Sequence, residues 1–200
     1  VTGVQTCALP ISKEEQYEES VNVKTLGEVC NFKNGKGKKK SALIEGEYPV
    51  IGGGQKPMGF HNEYNRNENT ILCSSSGAYA GFISKYDKKV WASDCFSIIP
   101  KDNTINNNYL YYLLKIVMQD KIYKTQTGTA QPHVYSKNLQ NFKIPVPSLE
   151  RQKKIVEDCE YNDSLIKQLE KEIENNKKQA QQFITSIVKS QVQAKELNDT

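Results

Sequence analysis

No run in this 200-residue chain approaches the eighteen or so consecutive apolar residues that a membrane-spanning helix requires. With 37% of residues apolar and a mean hydropathy of −0.66, transporter, channel and receptor readings fall away. Histidine occurs only as His61 and His133, neither within an HxxxH or HExxH pattern, so metal-dependent hydrolysis of that kind has no support. Cys7, Cys30, Cys73, Cys95 and Cys159 are odd in number, widely spaced and form no CxxC pair. A disulfide framework and a zinc site are both disfavoured, which fits a reducing, cytoplasmic setting. Cys73 and Cys95, on apolar runs, read as ordinary core residues.

Catalytic loops are missing as well. The stretch from Gly35 to Ser41 ends like a phosphate-binding loop, but the glycine that its spacing demands is absent at positions 32, 33 and 34. Gly52, Gly53 and Gly54 with Gly59 lack the third glycine of a dinucleotide fingerprint, and Pro57 would obstruct the following helix, so this cluster reads as a turn. Neither an Asn-Pro-Pro-Tyr-type or Asp-Pro-Pro-Tyr-type methyltransferase loop nor a Pro-Asp…Asp/Glu-x-Lys nuclease cluster is found; Asp87-Lys88-Lys89 lacks the upstream Pro-Asp. The expectation is a reader and not a catalyst, with no catalytic residue, no metal and no cofactor.

What is present is a concentrated positive charge. Residues 1–23 hold one Lys against four Glu, a net −3; residues 24–147 hold seventeen Lys and Arg against nine Asp and Glu, a net +8; residues 148–200 hold nine against ten, a net −1. A field of that sign over the middle segment attracts polyanions, of which nucleic acid is the commonest in a cytoplasm. A merely solvated Lys-rich surface is the plainer alternative.

The chain divides into three pieces: 1–23, 24–147 and 148–200. Residues 1–12 match neither a secretory signal nor the rest of the chain and resemble translated adapter sequence; residues 13–22 are polar and acidic. The first piece is expected to be a disordered non-native stretch or the remnant of an upstream element. From 24 to 147, short apolar or alternating runs are separated by Gly, Asn, Asp and Pro. Strands are expected at 24–32, 48–51, 70–74, 81–86, 90–92, 95–100 and 139–146. A helix is expected at 108–119, with Tyr109, Leu113, Ile116 and Val117 on one face. The class is α+β, a strand-rich domain followed by a long C-terminal coiled-coil helix.

That helix is announced by the loss of Gly and Pro after Pro147. Alternating steps of four and three from Ile155 reach Cys159, Asn162, Ile166, Leu169, Ile173, Asn176, Ala180, Phe183, Ile187, Ser190, Ala194 and Leu197, an unbroken heptad seam. The stripe is narrow, as a helix needs when it packs on one long partner. Asn162 and Asn176 interrupt it two heptads apart; they either fix register against a polar partner or face solvent. Ile155, Asn162, Ile166, Leu169, Ile173, Asn176, Ala180, Phe183 and Ile187 are the candidate helix–helix interface.

Three loops carry the candidate DNA-binding residues. The first packs five Lys into residues 33–40 and contributes Lys36, Lys38, Lys39 and Lys40 as phosphate contacts on a flexible, Gly-containing turn. Gln55 and Lys56 extend the basic surface beyond the glycine turn. In the second, Ser74-Ser75-Ser76-Gly77-Ala78-Tyr79 follows an apolar strand; Ser75, Ser76 and Tyr79 carry hydroxyls on a turn that allows close approach. The third, residues 125–134, is uncharged and polar and offers Thr127, Thr129, Gln131 and His133; glutamine can read adenine bidentately. Each could equally be an ordinary surface turn. A coiled-coil scaffold with a lectin-like or RNA-binding head is a reading from another class; it lacks stacked aromatic motifs, although eleven tyrosines leave room for it.

From Thr127, the sequence TGTAQPHVYSKNLQNFKIPVPSLERQKKIV closely resembles the end of a target recognition domain in type I restriction-modification specificity subunits. Lys24-Thr25-Leu26-Gly27-Glu28-Val29 resembles that domain's opening strand, and Tyr48 to Gly54 and Trp91 to Phe96 fall where the family would place them. The resemblance covers about residues 24–191. It implies a non-catalytic DNA-binding subunit whose domain reads one half of a bipartite double-stranded target. It also implies a spacer helix that pairs with a second, antiparallel helix and docks methyltransferase subunits, and through them restriction subunits. The chain departs from the full pattern in having one domain and one helix. It is then a truncated subunit whose other recognition half lies in the same full-length chain, a half-subunit that homodimerises, or the recognition module of a fused type II restriction enzyme-methyltransferase with its catalytic part upstream.

Overall fold

Thr25 breaks what the apolar pattern reads as one strand over 24–32. The computed structural model describes residues 22–198, with side chains to residue 189; expectations for residues 1–21 lie outside the described residues, as do those for the side chains of Ser190, Ala194 and Leu197 in the seam. Strand β1 (Asn22–Thr25) gives way to a single helical turn, α1 (Leu26–Val29), before β2 (Cys30–Asn34). The cause is local. Thr25 Oγ1 accepts from the Glu28 amide at 3.3 Å while the Glu28 carboxylate accepts from the Thr25 amide at 2.5 Å, a capping box that turns the chain and buries Leu26 and Val29.

The remaining strands are β3 (Tyr48–Ile51), β4 (Gly59–His61), β5 (Thr70–Ser74), β6 (Ile83–Tyr86), β7 (Trp91–Ala92), β8 (Cys95–Pro100) and β9 (Lys143–Val146). An antiparallel sheet in the order β2-β8-β5-β6 is the centre of the domain; a smaller sheet, β4-β3-β7, has β3 and β7 parallel; β1 pairs with β9. The apolar runs of β5 and β8 are continuous because both faces of the central sheet are covered. Ile71, Cys73, Phe96 and Ile98 face the helices, and Leu72 and Cys95 face Ile51 and Ala92 of the smaller sheet and the adjoining Val90. Burial raises the Cys30 and Cys95 thiols to about 12 and pushes Cys73 up as well, so these cysteines are inert packing groups.

Two further expectations are corrected. The helix expected at 108–119 runs as α2 (Asn107–Tyr112), a π-helical stretch (Leu113–Val117) and α3 (Gln119–Tyr123). Tyr109 and Leu113 are buried as expected, but past the wider π turn the buried stripe continues through Leu110, Leu114, Met118 and Ile122, four residues apart, and leaves Ile116 and Val117 exposed at 63% and 70%. The strand expected from 139 begins only at Lys143, because α4 (Ser136–Gln140) precedes it and buries Leu139.

The last element, α5 (Leu149–Asn198), is one 50-residue helix, roughly 75 Å long at helical rise. Its root is fixed by Gln152, which is fully buried. The Gln152 amide donates to the Thr104 and Pro147 carbonyls at 3.0 and 2.8 Å and accepts from the Asn106 amide at 2.7 Å. Val156 is buried beside it, and the Tyr112 hydroxyl donates to Asp163 at 3.0 Å. Beyond Asp163 the helix leaves the domain.

Candidate nucleic-acid interface

Residues 33–40 are held by their backbone. The amides of Gly35, Lys36 and Lys38 donate to Cys95 O at 2.8 Å, Ala92 O at 2.9 Å and Ser93 Oγ at 2.9 Å, and the Trp91 indole donates to Lys36 O at 2.8 Å. The flexible loop expected from two glycines is therefore a strap laid across β7 and the start of β8. Lys36, Lys39 and Lys40 project from it exposed, with no ion pair among the described residues. Lys38 differs from them. Its side chain is 11% exposed, with Nζ 3.7 Å from the centre of the Trp91 ring and 2.7 Å from His61 Nε2, which commits the cation to the interior.

The second loop is bonded to the third and to the turn between β7 and β8 on which the strap also lies. The Ser75 amide donates to Asp94 O at 3.0 Å, Ser75 O accepts from the Val134 amide at 3.1 Å, and Gly77 N donates to Pro132 O at 3.0 Å. Thr127 and His133 exchange two backbone hydrogen bonds, at 2.9 and 2.8 Å, closing a loop around Gly128 at φ +91° that leaves Thr129 and Gln131 exposed at its tip. Residue 53 is glycine because any Cβ there would run into the Ser76 carbonyl. That close approach brings the glycine turn, with Gln55 and Lys56 exposed on it, beside the same site.

An open groove of about 580 Å³ lies where these loops meet, lined by Gly35, Ser75, Ser76, Ser93, His133 and Lys137 among others. Of the thirteen residues that the sequence suggests as DNA contacts, Ser75, Ser76 and His133 line it. Lys36, Lys39 and Lys40 extend from the strap that forms one wall. Tyr79 is exposed on the turn beyond Gly77, outside the lining. Tyr135 and Lys137 are not among the thirteen, although both line the groove. Tyr135 is 48% exposed and stacks on His133 with ring centres 6.0 Å apart, and Lys137 Nζ lies 5.6 Å from the Tyr135 ring centre. The signal for Tyr135 is an i, i+2 spacing in extended chain, which sets it on the same side as His133. Asp94, exposed, is the acidic residue among those that line the groove.

The helix seam divides at the edge of the domain. Ile155 and Cys159 are half-buried against the core, so Ile155 serves the domain's own packing. Asn162 is exposed and donates to the Asp158 carbonyl at 2.8 Å on its own helix. Ile166, Leu169, Ile173 and Phe183 are more than half exposed, Asn176 and Ala180 are exposed beside them, and Ile187 is 39% exposed. Ile184 and Val188, exposed as well, widen the stripe near its far end.

Residues 18–182 match the family model of the type I restriction modification DNA specificity domain. Over 152 residues the chain is 34% identical to the specificity subunit of the type I restriction enzyme MjaVIII from Methanocaldococcus jannaschii, covering 70% of this chain and 35% of that protein. In fold it is similar to the S subunit of a type I restriction-modification system from M. genitalium, with a TM-score of 0.68 at 24% identity, covering 82% of this chain and 45% of that one. The HsdS subunit from Thermoanaerobacter tengcongensis superposes with a TM-score of 0.56 at 21% identity, covering 79% and 40%. The chain thus spans about a third of the curated relative and less than half of either solved subunit. On these matches, the chain belongs to the specificity-subunit family of type I restriction-modification systems, of which it carries one α+β recognition domain and one long helix.

Proposed function

We propose that the domain reads one half of a bipartite double-stranded DNA target through the groove where the strap, the serine turn and the Thr127–His133 loop meet. The observation that carries this reading is the convergence of three loops, far apart in sequence, on one groove to whose lining the strap contributes Gly35 and Gly37, with Lys36, Lys39 and Lys40 exposed and uncommitted on that strap. Cations on the strap suit phosphates. The hydroxyl, imidazole and amide groups of Ser75, Ser76, His133 and, at the loop tip, Gln131 suit base edges. Thr127, Thr129, Gln55, Lys56 and Tyr79 are secondary contacts around the rim. The chain itself is non-catalytic in this reading and works in the cytoplasm without a cofactor; among the described residues no helix is long and apolar enough to cross a membrane.

Beyond Asp163, α5 serves as the spacer to which a second helix and the methyltransferase subunits attach, the latter bringing restriction subunits. Its charge favours an antiparallel partner of like sequence. Residues 155–174 hold seven acidic against two basic groups, whereas 175–189 hold three basic and none acidic. Antiparallel pairing sets the acidic stretch of one helix against the basic stretch of the other, and parallel pairing superposes like charges. The second half is supplied by the same full-length chain or by a second copy. In a fused type II restriction enzyme-methyltransferase the domain would do the same reading, and the genomic sequence upstream separates that case.

Binding of the chain to a random-sequence duplex, titrated across salt concentrations, tests the core of the proposal. Replacing Lys36, Lys39 and Lys40 together by Gln should weaken binding to all sequences alike and flatten the log–log salt slope by about one unit for each phosphate left unneutralised. An unchanged slope would remove the strap from the interface.

A further inference from the structure

Arg66 is buried, and no carboxylate pairs with it among the described residues. Burial lowers the pKa of its guanidinium from the ordinary arginine value, yet the group remains a cation. A buried cation without a counter-charge is costly unless its donors are satisfied. Four of its five N–H donors are engaged: Nε donates to Ser97 Oγ, one terminal nitrogen to Asn65 O at 2.8 Å, and the other to Lys33 O at 3.0 Å and Asn34 O at 2.7 Å. The last two acceptors are the carbonyls from which the basic strap departs.

Its neighbour Asn65 performs the matching task on the smaller sheet. The Asn65 side chain accepts from the Ala92 amide at 2.7 Å and donates to the Ala92 carbonyl at 3.0 Å. That same carbonyl accepts from Lys36 N. Arg66 is itself locked in place by reciprocal backbone bonds with Val90, both 3.1 Å. One dipeptide thus fixes the end of β2, the edge strand β7 and, between them, the first half of the strap.

We infer that Arg66 is a positioning residue for DNA binding: its guanidinium fork aims Lys36, Lys39 and Lys40 by holding the Lys33 and Asn34 carbonyls. The inference rests on the proposed reading of the strap as a phosphate contact. Lysine cannot replace it. An ammonium keeps the charge but has one nitrogen, which cannot hold the Lys33 and Asn34 carbonyls together with Ser97 Oγ and Asn65 O as the three guanidinium nitrogens do.

A double-mutant cycle on the full chain separates this role from a purely structural one. Arg66→Lys, measured at a temperature where melting shows both proteins folded, should lower duplex affinity about tenfold and flatten the salt slope by about one unit. It should also speed exchange of the Gly35, Lys36 and Lys38 amides while the β5 and β8 amides stay protected. In the background K36Q/K39Q/K40Q, Arg66→Lys should cost no further affinity, because the groups it aims are gone. Additive losses in the two backgrounds, or an unchanged affinity for Arg66→Lys alone, would overturn the inference while leaving the strap assignment intact. If the triple Gln chain binds as well as the original, the strap reading fails, and the positioning role fails with it.

Discussion

The globular domain and the distal part of α5 use the same residue types in opposite ways. In the domain, Ile71, Leu72, Phe96 and Ile98 point inward from the two faces of the central sheet, and among the described residues every buried side-chain polar atom has a partner, down to the fully buried Gln152. From Asn162 onward, Ile166, Leu169, Ile173 and Phe183 point outward, and the polar groups of Asn162, Ser164, Thr185 and Ser186 turn back to their own helix backbone. A single helix with one apolar seam has nothing of its own to bury the seam against. The domain buries its apolar residues within itself; the distal helix leaves its seam exposed.

The sharpest way to break that comparison is to truncate one apolar residue in each region. Leu114→Ala, in the fully buried stripe of the π-helical stretch, should cost about 2–5 kcal/mol of domain stability through reduced burial and the cavity left behind. Ile173→Ala, at a position 52% exposed, should change the stability of the dilute chain by no more than about 0.5 kcal/mol. Urea denaturation at micromolar concentration reads both. A large effect of Ile173→Ala that grows with protein concentration would show that the seam is already covered by a second copy.

A smaller contrast lies inside the strap, where neighbouring lysines have different tasks. Lys38→Met should lower stability by about 1 kcal/mol, since it gives up the cation–π interaction with Trp91 and the approach to His61. It should leave the salt slope of duplex binding nearly unchanged. Lys39→Gln should do the reverse, with stability held within about 0.5 kcal/mol and a slope shallower by about one unit. Thermal melts and salt titrations on the same two variants settle the division, and equal slope changes would mean that Lys38 also reaches phosphate.

Most of this organisation is legible in the sequence because it depends on short-range pattern. The seam from Ile155, the strands at 48–51, 70–74 and 95–100, and the glycine turn all follow from period, β-branched content and turn residues. Pattern fails where a local hydrogen bond or a widened turn overrides it. The T-x-x-E box at Thr25 is readable as a cap, yet the apolar run around it reads as strand, and no periodicity anticipates the π turn that expels Ile116 and Val117. Loop composition finds Ser75, Ser76 and His133 for the groove. It does not separate Lys38 from Lys39, because the difference is tertiary: Trp91 and His61 come to Lys38 from other strands.

The smallest expected effect concerns the first place where pattern and structure part. The Glu28 carboxyl is held below the ordinary carboxylate range, chiefly by the backbone hydrogen bond from Thr25 and then by its hydroxyl. A carboxylate whose folded pKa is depressed contributes stability that is fully present above its unfolded pKa and is lost as pH falls through the folded value. Glu28→Gln keeps the geometry of the cap and removes the titration, so the stability difference between the original chain and the variant should be constant at neutral pH and shrink as the solution is acidified below the ordinary Glu range. Because Glu28 is open to solvent, the change should be small, visible in matched denaturation curves and damped by salt. A difference that stays flat into acid would mean that the box is held by the Thr25 hydroxyl donating to Glu28 and by burial of Leu26 and Val29, with the charge contributing nothing. The domain's opening turn would then belong with its uncharged core and not with its charged surface.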